Sequence, residues 1–205
     1  MIIRRSIGLL LLHWIVFSAL SQNHQRSIES FDFDWRFARY GLQADGSRID
    51  EPLDVQDISF DDSKWKRLDL PHDWAIEGPF RIDLEGFTGK LPWRGIGWYR
   101  KSFQVSKEDK GKQFYLDFDG AMAHAEVWLN GEKVGGHPYG YTSFRVDLTP
   151  SLSYGKENVV AVRLNTEKVG SRWYPGAGIY RHVRLVKTSP LHVDQWGVFV
   201  TTPHI

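Results

Sequence analysis

Two short stretches carry the side chains best suited to chemistry. PHDWA sets His72, Asp73 and Trp74 directly after Pro71. SRWYPGAGIYR sets Arg172, Trp173 and Tyr174 directly before Pro175 and a Gly-Ala-Gly run. Asp73 is a short anionic acceptor beside an aromatic ring, and a loop carboxylate can take two hydroxyl hydrogen bonds from one sugar. Arg172 offers a planar fork of donors. Trp173 and Tyr174 offer stacking faces with polar tips. Each stretch also has a plainer reading. Asp73 can cap the turn that follows it while Trp74 fills the core. Trp173 and Tyr174 can plug one end of a sandwich while Arg172 pairs with a surface acid.

Gly176 and Gly178 permit a tight turn or a close approach of backbone to another group. They do not form a nucleotide loop, because no parallel βαβ unit surrounds them and a strand follows where a helix is needed. Other chemistry finds little support. No G-x-S-x-G marks a serine nucleophile. His72, His124, His137 and His182 lack metal-ligand spacing and read as surface or turn histidines. The chain has no Cys, so no disulfide framework, redox pair or thiolate zinc site is available. Glu77 and Glu85 share one loop, but a glycosidase pair needs a fixed separation of ~5–10 Å on rigid supports. No catalytic residue, metal ligand or cofactor is expected within this chain.

The elements that position these residues are strands. FDFDWRF alternates, which predicts Phe31, Phe33, Trp35 and Phe37 on one face. GWYRKSFQV predicts Tyr99, Lys101, Phe103 and Val105 on one side, and KQFYLDFDG predicts Phe114, Leu116 and Phe118. AEVWLNGEKVGG predicts Ala125, Val127 and Leu129 inward, with a hairpin turn at Asn130-Gly131, where both residues tolerate positive φ. TSFRVDL, NVVAVRLN and IYRHVRLVKT follow. Strands every ten residues or so, with turns between, point to an all-β sandwich or jelly roll. The one place for a helical turn is DISFDDSKWKRL, capped by Asp61 or Asp62. After Ser189-Pro190, LHVDQWGVFVTT reads as a further strand. It either opens a second domain or returns to the sandwich as an edge strand.

The 205 residues suffice for one sizeable β domain plus the start of another. Aromatic residues make up 14%, a load that suits both strand packing and sugar platforms. A net charge of +1 without a clustered basic footprint argues against nucleic-acid binding. Arg4 and Arg5, the apolar run Ile7 to Leu20 and the small residues Ala19 and Ser21 form a secretory signal ending at residue 21. A membrane span would need ~20 apolar residues, so an uncleaved anchor is the weaker alternative. The chain is therefore expected to be exported, to the periplasm or beyond. Residues 1–21 are the signal, 22–189 the sandwich and 190–205 the start of a truncated second domain.

With these motifs in place, a resemblance emerges. FDDSKWKRLDLPHDW, GIGWYRKSF, AEVWLNGEKVGGHPYGYTSFRVDLT and SRWYPGAGIYRHVRL resemble, in order, the N-terminal sugar-binding domain of family 2 glycoside hydrolases. The likeness runs from about Phe31 to Leu185, and PHDWAIEGPF and SRWYPGAGIYR are most similar to the β-galactosidase branch. The resemblance implies a galactose-binding-like jelly roll, then an immunoglobulin-like domain beginning near Pro190, then a (β/α)₈ barrel. The barrel carries two catalytic Glu of a retaining mechanism, so this chain alone should be inactive. Asp73 stands where the family places an Asn or Asp that reaches the non-reducing sugar. Arg172 stands where some members carry an acidic residue, which removes the reason to infer a metal there. The implied ligand is a terminal β-galactoside bound by the whole enzyme, with His72, Trp74, Arg172, Trp173 and Tyr174 around Asp73 as the candidate site. Arg172 to Tyr174 are expected to wall the barrel mouth. A homo-oligomer is left open. So are a β-glucuronidase or β-mannosidase, a free-standing carbohydrate-binding module and a protein-interaction sandwich.

Overall fold

The computed structural model describes residues 26–168 and 170–202. The predicted signal, residues 1–21, lies outside the described residues. The strands in chain order are β1 (Ser27–Ser30), β2 (Trp35–Leu42), β3 (Arg48–Ile49), β4 (Lys66–Leu68), β5 (Ile96–Gln104), β6 (Gln113–Phe118), β7 (Ala125–Leu129), β8 (Glu132–His137), β9 (Phe144–Asp147), β10 (Glu157–Asn165) and β11 (Val183–Thr188). No α-helix occurs among the described residues, only short 3₁₀ turns. One sheet runs β1-β11-β6-β9. The other runs β3-β2-β5-β10-β7-β8, with β4 also on β2. All these pairings are antiparallel, so the architecture is the expected all-β sandwich.

The core lies between the sheets. Phe114, Leu116 and Phe118 of β6 face Tyr99, Val127, Leu129, Val160 and Val162 across it, all of them buried. Phe118 stacks on Phe144 at 4.7 Å between ring centroids, adding an aromatic contact to the area removed from water. The β7–β8 hairpin turns at Asn130 and Gly131, with φ of 54° and 88°. These are the two left-handed residues that a tight hairpin of the sheet's twist demands.

Three expectations need correction. Phe33 does not join Phe31, Trp35 and Phe37: it is 59% exposed. Asp34 takes a left-handed conformation, φ 59°, and β2 starts only at Trp35, so the alternation is interrupted there. The DISFDDSKWKRL stretch holds turns and then β4, not a helical turn. Asp61 does cap locally, accepting from the Ser63 amide at 3.0 Å, while Asp62 pairs with the buried Arg100 at 2.9 Å. Residues 190–202 form no strand. The stretch is tied to the sandwich by Arg26 donating to the Val193 carbonyl and by Arg145 near Asp194, and its apolar side chains stay exposed. Without a ladder partner, an apolar run has nothing to fix it as a strand.

Candidate functional site

The two candidate stretches, about a hundred residues apart, are joined by backbone. The His72 amide donates to the Ile179 carbonyl and the Trp74 amide to the Ala177 carbonyl, each at 2.9 Å. On its other edge this same segment pairs with Met122: Met122 and Gly178 exchange both amide–carbonyl bonds, at 2.9 and 3.1 Å. Residues 177–179 are therefore braced from both sides. Gly178 is required there. It has φ 133°, and a Cβ would stand 2.4 Å from the His72 carbonyl oxygen and 2.6 Å from the Tyr99 hydroxyl. Gly176, φ 89°, lets the chain turn past Asp73, whose Oδ2 would be 3.7 Å from a Cβ.

The extended pairing alternates side chains across residues 72–74. Trp74 goes into the core. It is 2% exposed, lies near parallel to Phe37, and its indole N–H donates to the Trp93 carbonyl at 3.2 Å. This corrects the placement of Trp74 among the sugar contacts: it is a support beneath the site. His72 goes inward too, which corrects its reading as a surface or turn histidine. Its side chain is 8% exposed, Nδ1 is 2.7 Å from the Tyr99 hydroxyl and Nε2 is 3.2 Å from Glu77. Glu77 only accepts, so Nε2 carries the hydrogen and Nδ1 accepts from Tyr99. Burial lowers the His72 pKa below 6.5, against the weaker opposite pull of Glu77. Burial also raises the Tyr99 hydroxyl well above its ordinary value, so it stays a donor. Glu77 overcomes its own burial because Lys66 and His72 hydrogen-bond to it, and its pKa falls.

Asp73 points the other way, half-buried. Its Oδ1 accepts from the Ala75 amide at 3.0 Å, the turn cap of the plainer reading. The Tyr174 hydroxyl stands 2.6 Å from both Oδ1 and Oδ2. Burial first, then Asp73 itself, pushes the Tyr174 pKa far up, so the phenol keeps its proton and donates. A carboxylate has about four acceptor positions. The two donors make three contacts here, two at Oδ1 and one at Oδ2, which leaves acceptor capacity at Oδ2 for a ligand hydroxyl.

Arg172 and the 62%-exposed Trp173 lie on the outer side of the same loop. They line a groove of ≈ 750 Å³ with Tyr139, Tyr141, Met122 and His124. Tyr139 and Tyr141 were not singled out from sequence, although their signal was present as two aromatics flanking one glycine in HPYGY. Among the described residues, no group of three or more His, Cys, Asp or Glu gathers to hold a metal.

Residues 28–189 match the profile described as "Glycosyl hydrolases family 2, sugar binding domain". A β-galactosidase of Bacteroides ovatus is 47% identical over 92% of this chain and 21% of its own length. A putative β-glucuronidase of Formosa agariphila is 37% identical over 98% of this chain and 19% of its own. The chain thus spans about a fifth of the length of these relatives. A solved structure of a glycosyl hydrolase family 2 member from Bacteroides cellulosilyticus superposes with TM-score 0.76 at 41% identity, covering 86% of this chain and 22% of that one. With the two-sheet sandwich and the braced Asp73 loop, these likenesses show that the chain belongs to glycosyl hydrolase family 2 and carries its N-terminal sugar-binding domain.

Proposed function

We propose that this domain serves an exported, retaining exo-β-galactosidase acting on terminal β-galactosides. In this reading residues 1–21 direct export. Residues 22–189 form the sugar-binding sandwich. The chain from residue 190 leads into an immunoglobulin-like domain and then a barrel with two catalytic glutamates. The domain alone is inactive, and its task is to complete the substrate pocket. One observation carries this role. Asp73 is fixed by the Ala75 amide and the Tyr174 hydroxyl, faces away from the core and keeps acceptor capacity at Oδ2. A pre-positioned acceptor of this kind costs little further ordering when a sugar hydroxyl arrives.

Galactose as the sugar is supported by the 47%-identical relative named a β-galactosidase. The second reading is a β-glucuronidase. It is favoured by the Formosa relative and by Arg172 at the groove, whose fork suits a uronate carboxylate. The test is turnover of 4-nitrophenyl β-galactoside, β-glucuronide and β-mannoside by the whole enzyme and by this chain. The whole enzyme should hydrolyse the galactoside fastest, and this chain should hydrolyse none. A preference for the glucuronide would overturn the sugar. Turnover by the chain alone would overturn the placement of the chemistry.

A further inference from the structure

The groove beside Arg172 is built as a binding site in its own right. Trp173 is 62%, Tyr139 57% and Tyr141 38% exposed, a concentration of aromatic surface that a β-sandwich core does not need. These rings are not loose. The Trp173 indole N–H donates to the Tyr141 hydroxyl at 3.2 Å, and Tyr139 meets Tyr141 edge to face at 5.5 Å. The loop carrying both tyrosines is clamped. The Tyr180 hydroxyl donates to the Gly140 carbonyl at 2.8 Å, and a Cβ on Gly140 would lie 2.3 Å from the Met122 sulfur. The other wall is set by Ser171, whose hydroxyl accepts from the Trp173 amide at 3.2 Å. The cleft is thus preformed, and its ≈ 750 Å³ falls within the range of small-molecule sites, about 300–1,000 Å³.

The lining chemistry names the ligand class. Flat rings with hydroxyl and indole tips pack the apolar C–H face of a pyranose while their polar edges meet its hydroxyls. Arg172 and His124 add hydrogen-bonding groups at the same groove. Gly176 lies between this groove and Asp73: a Cβ there would be 3.7 Å from Asp73 and 4.0 Å from Met122, which lines the groove floor. We propose that this groove is a second saccharide subsite. It holds a pyranose ring against Trp173, Tyr139 and Tyr141, adjacent to the ring that Asp73 contacts. Only the last clause rests on the proposed role of Asp73; the groove's own capacity for sugar does not.

The test is a titration of the ¹⁵N-labelled chain with lactose, followed at the Trp173 indole and, in every variant, at the backbone amides of Tyr139, Gly140 and Tyr141, which line the same groove. The Trp173 indole should shift saturably. Trp173→Ala and Tyr141→Ala should each weaken binding by about tenfold, as loss of an aromatic anchor does. Arg67→Ala, on β4 and outside the groove lining, should leave the groove response within about twofold. Both aromatic positions are exposed enough that melting temperature should hold, and it is measured alongside. No saturable shift, or an equal response to p-cresol, which has a flat ring but no sugar hydroxyl array, would overturn the subsite. So would binding that Asp73→Ala abolishes and Trp173→Ala spares. That last pattern leaves the reading of Asp73 standing, whereas normal turnover by an Asp73→Ala whole enzyme sinks that reading and leaves the groove untouched.

Discussion

The Tyr174 hydroxyl lies 2.6 Å from both carboxylate oxygens of Asp73, 101 positions earlier in the chain. One hydroxyl facing both oxygens, with the Ala75 amide on Oδ1, fixes the plane of the carboxylate as well as its position. The bond also locks the second loop onto the first at the point where their backbones already pair. A charged hydrogen bond of this sort contributes ~1.5–3 kcal/mol when buried. This one is half-buried, so Tyr174→Phe should cost about 1 kcal/mol, below that range. Asp73→Ala should cost more, because it also strips the acceptor from the Ala75 amide. Urea denaturation of both single variants and the double variant measures the coupling. Additive losses would mean that the pair contributes no energy of its own.

His72 makes stability depend on pH in a defined direction. Its folded pKa is lowered below 6.5, chiefly by burial. The unfolded chain therefore binds protons at a pH where the folded protein does not. The stability tied to neutral His72 is complete above about 6.5, falls as pH drops through that value, and is fully lost below the depressed folded pKa. Glu77 acts in a lower window, since its folded pKa lies below 4.5 and its contribution goes only as pH falls past there. The denaturation midpoint should drop between about pH 7.5 and about pH 5.5. His72→Gln should start lower but show a flatter profile over that interval. An unchanged slope in the variant would remove His72 as the cause.

Gly97 tests the support beneath the site. A Cβ at this position would stand 2.4 Å from Cζ3 of Trp74, whose ring is buried between Gly97 and Phe37. Trp74 cannot swing outward without breaking its bond to the Trp93 carbonyl. Gly97→Ala should therefore destabilise by ~1–3 kcal/mol, the usual cost of overpacking. Trp74→Ala should cost ~3–5 kcal/mol through the cavity it leaves. Midpoints from denaturant titration check both, and a Gly97→Ala midpoint equal to that of the parent would mean the ring has slack.

What could be read from the sequence follows from where periodicity survives. β6 and β7 each bury one face, so Phe114, Leu116, Phe118, Val127 and Leu129 were plain from alternation. β5 buries both faces over its first half, because the 50–65 segment covers its outer side with Val55, Phe60 and Trp65. Trp98 and Arg100 are therefore buried opposite Tyr99, and period two vanishes. The site was half legible. Residue types marked Asp73 and Tyr174 separately, but their bond depends on topology that brings residue 177 beside residue 74. Trp74 shows the limit. A tryptophan next to a loop carboxylate reads equally as platform or as core, and only the alternation imposed by the 177–179 pairing decides for core.

The decisive comparison at Asp73 is between two substitutions. Asp73→Asn keeps an oxygen that can accept from the Ala75 amide and from Tyr174, so the loop should stay in place and stability should change little. It removes the negative charge, and a neutral acceptor holds a sugar hydroxyl about 1–1.5 kcal/mol less well than a charged one. Asp73→Ala removes the cap, the Tyr174 partner and the sugar acceptor together. In the whole enzyme, Asp73→Asn should lower kcat/KM by about tenfold with a near-parent melting temperature. Asp73→Ala should lower kcat/KM by ~10–10³-fold, the range of one or two charged hydrogen bonds at 1.4 kcal/mol per decade, and should also lower the melting temperature. If Asp73 tightens its hold as the ring distorts, the loss appears in kcat as well as KM. A residue that only caps a turn behaves differently: Asp73→Asn would then leave kcat/KM at the parent value, and Asp73→Ala would lose stability while whatever stays folded turns over normally. Normal kinetics in the Asn variant would therefore reduce Asp73 to a structural cap.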